Sequence, residues 1–153
     1  MKIPRILKLL VPFVVSLASA ASLQAAETAK DEVSIRHVLM ATFDKPEARL
    51  IVDPVVVVGV HAVAGWSQGE RGGRALLMRH GTAWRITLCA GDGLKQAKVL
   101  REAGISQANA DALAQGLATA EAKLPAAQRA KFSTFDGVVR MDANGQHPPA
   151  HKQ

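Results

Sequence analysis

The stretch Ala48–Gly93, "ARLIVDPVVVVGVHAVAGWSQGERGGRALLMRHGTAWRITLCAGDG", decides the fold. It is rich in valine and divided by glycine, the pattern of consecutive antiparallel strands joined by tight turns. One strand is predicted to run to about Val58, with a turn at Gly59-Val60-His61. A second covers Ala62 to Ser67, a third Arg74 to Arg79 and a fourth Ala83 to Cys89. "QGERGG" between the second and third reads as a longer turn, because glycine tolerates positive φ. His80-Gly81-Thr82 turns the last hairpin. Side chains alternate across a strand. Trp84, Ile86 and Leu88 should therefore share one face of the fourth strand, and Arg85, Thr87 and Cys89 the other.

Outward from the strands the periodicity becomes helical. Val33, Ile35, Val38, Leu39, Met40 and Phe43 predict a helix over about Asp31–Phe43 with a broad apolar face, closed by Pro46. His37 falls on its polar side, and Asp31 and Glu32 suit its positive N-terminal end. Beyond Gly93 a short helix should end near Gly104. Ser106 is placed to cap a longer one. There Ala110, Leu113, Ala114, Leu117, Ala120 and Leu124 recur as a narrow stripe of small residues. Pro125 suits the first turn of another short helix. "FDGVVRMD" is a candidate last strand, and residues 143–153 form a polar, proline-containing tail expected to be flexible. The class expected is α+β: an N-terminal helix, a four-stranded antiparallel meander, Ala-rich C-terminal helices and a short last strand, with helices on one face of the sheet.

The first residues, "MKIPRILKLLVPFVVSLASAASLQAAE", have the layout of a secretory signal peptide. Lys2, Arg5 and Lys8 are its basic part. Leu9 to Leu17 is its apolar core, too short to span a bilayer. Ala18-Ser19-Ala20 and Ala25-Ala26 are two cleavage sites. The expected organisation is a signal peptide over 1–26, one domain over 27–142 and the tail, in a periplasmic protein with no span after processing. Residues 1–26 hold three of the 19 Lys and Arg and none of the 13 acids, which leaves 16 basic against 13 acidic side chains and a net charge of +3. That mild charge, with no Tyr and 4% aromatics, argues against nucleic-acid recognition.

No complete catalytic motif is present. "GERGGRA" lacks the ending of a phosphate loop, no G-x-S-x-G, HExxH or CxxC occurs, and the protein is expected not to be an enzyme. The chemistry-bearing residues are those that soft or borderline metals prefer. Met78, His80 and Cys89 lie on one predicted hairpin, but Cys89 stands at its far end, roughly 20 Å from His80 at ~3.3 Å per residue. Those three therefore do not make a common site. Cys89 reads as a small buried residue or strand-end thiol, Met78 as core and His80 as an exposed turn residue. The candidate metal ligands are His147 and His151 in "HPPAH", then Met141 and Cys89, with His37 and Met40, at i and i+3 on the first helix, behind them.

Several strings carry a family resemblance: "MATFDKPEARL", "AVAGWSQGERGGRALL", "ITLCAGDGL" and "FDGVVRM". Across Val33 to Asp142 the chain resembles the copper uptake system-associated proteins, a small group of exported bacterial proteins. The resemblance implies a role beside copper-acquisition components of the envelope, with copper as the metal and no known catalytic activity. Such proteins often end in a His-rich tail, here reduced to His147 and His151. They also tend to have Gly-Asp at the first hairpin, where this chain has Gly59-Val60. The expected function is thus a periplasmic accessory protein of copper uptake that binds copper transiently or docks with copper-handling partners. The alternative is a periplasmic binding module, without metal, whose sheet carries a pocket for a ligand or a protein.

Overall fold

A computed structural model describes residues 18–142. The fold is α+β. The first helix, α1 (Ala18–Phe43), leads into β1 (Leu50–Val58), β2 (His61–Gln68), β3 (Arg71–His80) and β4 (Ala83–Ala90). A 3₁₀ turn (Asp92–Lys95), α2 (Ala97–Glu102), α3 (Gln107–Glu121) and α4 (Ala126–Phe132) follow, and β5 (Val138–Arg140) ends the series. The strands form one antiparallel sheet in the order β1-β2-β3-β4-β5. Gly59 and Gly81 adopt positive φ in the turns where the strand pattern required it. Ser106 accepts a hydrogen bond from the Asn109 amide at the start of α3, and Pro125 stands at the N-cap of α4.

The helices cover both faces of the sheet, not one. Ile35 and Leu39 of α1 pack with Ala62, Ala64, Ala75, Leu77, Trp84 and Ile86 on one face. Leu100 of α2 and Ala110, Leu113 and Leu117 of α3 pack with Val63, Leu76 and Leu88 on the other. A sheet whose residues are apolar on both sides must be covered twice, and the long valine and alanine runs of β1 and β2 already have that composition.

α1 is also longer than its apolar spacing suggests, and its inner stripe is narrower. The described side chains before Thr28 are exposed, so packing begins only there. Val33 is 67% exposed and Met40 40%, leaving Ile35 and Leu39 as the buried positions. Asp31 lies within the helix rather than at its start. Its carboxylate accepts from Trp84 Nε1 at 2.9 Å and from Arg79 Nη1 at 3.2 Å, which ties α1 to β3 and β4. Glu32 bonds Arg36 at 3.1 Å one turn on. Arg36 Nε donates to Val52 O at 3.2 Å, and its guanidinium lies 3.6 Å from Asp53.

Two irregularities reset the faces. β1 is bulged between Val52 and Val55, around Asp53-Pro54, opposite Gly65. In β4 the register jumps from Leu76–Leu88 to Leu77–Ile86, so Thr87 is an extra residue. A bulge reverses the alternation beyond it. Trp84 and Ile86 therefore face α1 as a pair, Leu88 turns to α3, and Cys89 joins the α1 face instead of opposing Trp84.

The Gly-rich turn is only two residues long, Gly69-Glu70, and Gly72 and Gly73 belong to β3. They are glycine because Trp66 on one side and the segment 131–135, which straps across this end of the sheet, on the other leave no room for a Cβ. A Cβ on Gly72 would lie 2.6 Å from Trp66 O and 3.1 Å from the Lys131 backbone, and one on Gly73 2.9 Å from the Trp66 ring and 3.0 Å from Phe135 Cβ. On Gly91 it would meet Phe135 O at 2.5 Å, and on Gly65 the Phe132 ring at 3.0 Å. The strap is fastened by the Gly72 amide, which donates to Thr134 Oγ1 at 3.0 Å. It puts Phe132 beside Arg74 and Phe135 against Trp66.

Candidate functional site

The sequence-derived metal candidates separate in space. His147 and His151 lie outside the described residues. Cys89 is 5% exposed within the α1-face core. Burial pushes its thiol up to about 12. A thiol is a ligand and nucleophile only as thiolate, so Cys89 behaves as a small apolar core residue. Met141 is half-buried against the same core, beyond β5, and its amide donates to Thr87 O at 2.9 Å. His37 and Met40 share more of the helix surface than their apolar and polar assignments suggested. Both are exposed on the outward face of α1, three residues apart, a spacing that makes neighbours on a helix. Met40 leaves the inner face because Leu39 and Phe43 fill the contact with the sheet.

Met78, read as core, is only half-buried and belongs to neither core cluster, whereas His80 is exposed as the turn suggested. Cys89 pairs with Ala75 while His80 pairs with Ala83, which puts them at opposite ends of β3–β4. Among the described residues, no group of three or more His, Cys, Asp or Glu is placed to hold a metal ion.

Two features are built of residues that the sequence reading did not single out as a site. The first is a cavity of about 180 Å³ on the α1 face, lined by Phe43, Leu50, Trp66, Gln68, Cys89 and Phe135. Gln68 closes the α1–β1 connection beside it, its amide donating to Phe43 O at 2.9 Å and Ala48 O at 2.7 Å. Trp66 stands edge-to-face with Phe135 across Gly73, at a centroid distance of 5.8 Å. Its Nε1 is buried with no hydrogen-bond partner among the described residues. An orphaned indole N–H in an apolar wall suits a hydrogen-bond acceptor on a small, mostly apolar molecule.

The second is the buried charge on the opposite face. Arg74 is 1% exposed, and Glu121 holds it by two bonds of 2.6 and 2.8 Å. Asp92 approaches at 3.2 Å, and the guanidinium lies 5.4 Å from the Phe132 ring centroid. β3, the 3₁₀ turn, α3 and α4 meet at this one side chain. Both charges are matched and bidentate, the geometry of a structural clasp rather than of a reactive centre. In sequence the only signal was a glutamate on the apolar stripe of α3, at the position after Ala120.

No family profile, no curated protein and no solved structure matches the chain.

Proposed function

We propose that this is an exported, non-catalytic accessory protein of copper uptake, working in the periplasm by binding copper transiently or docking with copper-handling partners. The reading rests on the signal-like first 26 residues, on the family resemblance over Val33–Asp142, and on one geometric observation. That observation is the exposed His37–Met40 pair on the outward face of α1. An imidazole and a thioether on adjacent helical positions suit Cu(I), and the tail imidazoles His147 and His151 suit Cu(II). Both cleavage sites precede Thr28, the first half-buried side chain described, so processing after Ala20 or Ala26 leaves the packed body intact.

Copper titration of residues 27–153 against a chelator of known affinity tests this, with Cu(I) under reducing anaerobic conditions and Cu(II) in air. Stoichiometric binding is expected. Cu(I) affinity should fall in His37→Ala/Met40→Ala, and Cu(II) affinity in His147→Ala/His151→Ala. Binding no stronger than the chelator background overturns copper binding and leaves docking or the pocket module below.

A second reading is favoured by the cavity beside Trp66: a binding module for a small apolar ligand bearing a hydrogen-bond acceptor. Its signature would be a change in Trp66 fluorescence on ligand addition, lost when Cys89→Met fills the space.

A further inference from the structure

Two buried polar side-chain atoms lack a hydrogen-bond partner among the described residues. Trp66 Nε1 belongs to the cavity. The other, His61 Nδ1, stands on the α3 side of the sheet near its opposite end, and nothing so far accounts for it. A buried imidazole nitrogen without a partner carries a desolvation cost, so its surroundings are informative.

The strand register gives those surroundings. His61 of β2 pairs directly with Met78 of β3, with Val58 beyond His61 and Arg85 beyond Met78. Directly opposed residues have Cβ atoms about 4.5–5.5 Å apart, within which an imidazole and a thioether both reach one ion. His80 is two positions along β3 from Met78, hence on the same face, exposed beside the Gly81 turn. His61 and Met78 are only half-buried, so an ion can enter from this end.

We propose that His61 and Met78, with His80 as an outer third ligand, form a binding site for a soft monovalent metal ion of the Cu(I) class. This deepens the copper reading and rests on it, adding a site on the sheet that takes up a soft ion before the pair on α1 does. An imidazole nitrogen is a ligand that Cu(I) accepts. A thioether needs no deprotonation and prefers soft ions.

The test is a titration of residues 27–153 with Ag(I), a redox-inert soft monovalent ion. The readouts are the methyl signals of Met40, Met78 and Met141 and the ring signals of the histidines. The first equivalent is expected to move Met78 and His61 together. Met78→Leu, a near volume-conserving change that preserves packing, should abolish that shift and weaken Ag(I) affinity about tenfold or more. His61→Gln should do the same, while His37→Ala/Met40→Ala leaves the Met78 shift in place. If Ag(I) moves only Met40 and His37, or only the tail histidines, the sheet site is wrong and the copper reading stands. If saturating Ag(I) moves none of them, the sheet site is wrong and so is Cu(I) binding on α1.

Discussion

The two faces of the sheet are sealed by different chemistry. Under α3, Leu and Ala side chains interlock around one buried cation, and Arg74 meets Glu121, Asp92 and the Phe132 ring. Under α1, aromatic rings from three separate segments lean together and leave a cavity of about 180 Å³, walled by a free thiol and by a tryptophan whose indole N–H has no partner among the described residues. The first face spends its polarity on fixing register between four elements. The second keeps polarity unspent. A charge that must find one partner tolerates little displacement, whereas a gap between rings leaves room for rearrangement or for a guest. The contrast explains why the α3 side around Arg74 reads as scaffold, while the gap on the α1 side has room for an apolar guest; the ion site proposed at His61 lies at the other end of the α3 side.

Removing one half of the clasp should break this contrast most severely. Glu121→Ala leaves Arg74 buried with only the half-exposed Asp92 and a backbone carbonyl, and should cost about 3–5 kcal/mol in urea unfolding. Replacing both partners, Arg74→Met with Glu121→Leu, should recover most of that loss. A single mutant as stable as the parent would show that the clasp does not hold the α3 face.

The strap predicts the next largest effect. Gly91→Ala drives a methyl against Phe135 O, a backbone atom at 2.5 Å, and should destabilise by about 1–3 kcal/mol. Gly116→Ala meets only the Val56 methyl at 2.8 Å, a side chain that can turn aside. The gain of about 1 kcal/mol from alanine in a helix should make that change near neutral. Equal melting temperatures for the two variants would contradict the strap.

On the α1 face, Cys89 sharpens the comparison through pH. Its folded value is raised to about 12 from an ordinary 9.0, so the folded state holds the proton more tightly. The associated stability is complete below pH 9.0 and lost as pH rises toward 12, at about 1.4 kcal/mol per pH unit. Cys89→Ala should therefore lose less stability than the parent between those values, measured as a difference of unfolding curves. The smallest effect belongs to His61, whose pKa is depressed. Its contribution is present above 6.5 and falls away as pH drops through its folded value. His61→Gln should flatten the acid side of the stability profile slightly, and an unchanged profile would argue against burial as the cause of the depression.

Much of the architecture was legible in the residues. Valine runs cut by glycine place β1–β4, Ser106 and Pro125 place two helix starts, and "FDGVVRMD" contains β5. What escaped was long-range. Gly72 and Gly73 look like turn residues until a strap sixty residues later is seen lying over them. The extra residue at Thr87 is invisible to an alternation count, which is why Cys89 was assigned to the wrong side. Met40 has the right spacing for the inner face of α1 and is displaced by its larger neighbours. For the sheet site, strand alternation alone puts Met78 and His80 on one face. In sequence His61 is only a turn residue, because its pairing with Met78 depends on where β2 begins.

β1 lies at one margin of the sheet, with a proline and a bulge at its middle and Arg36 reaching across to the Val52 carbonyl. A long open margin is the usual route by which sheets from separate molecules join edge to edge and grow into fibrils. Here the row of free donors is interrupted at Pro54, which has no N–H to give, and the charged pair Arg36–Asp53 stands beside the gap. The nine residues of β1 are thus divided into two short runs, neither long enough to template a neighbour, and the protein should stay monodisperse when concentrated.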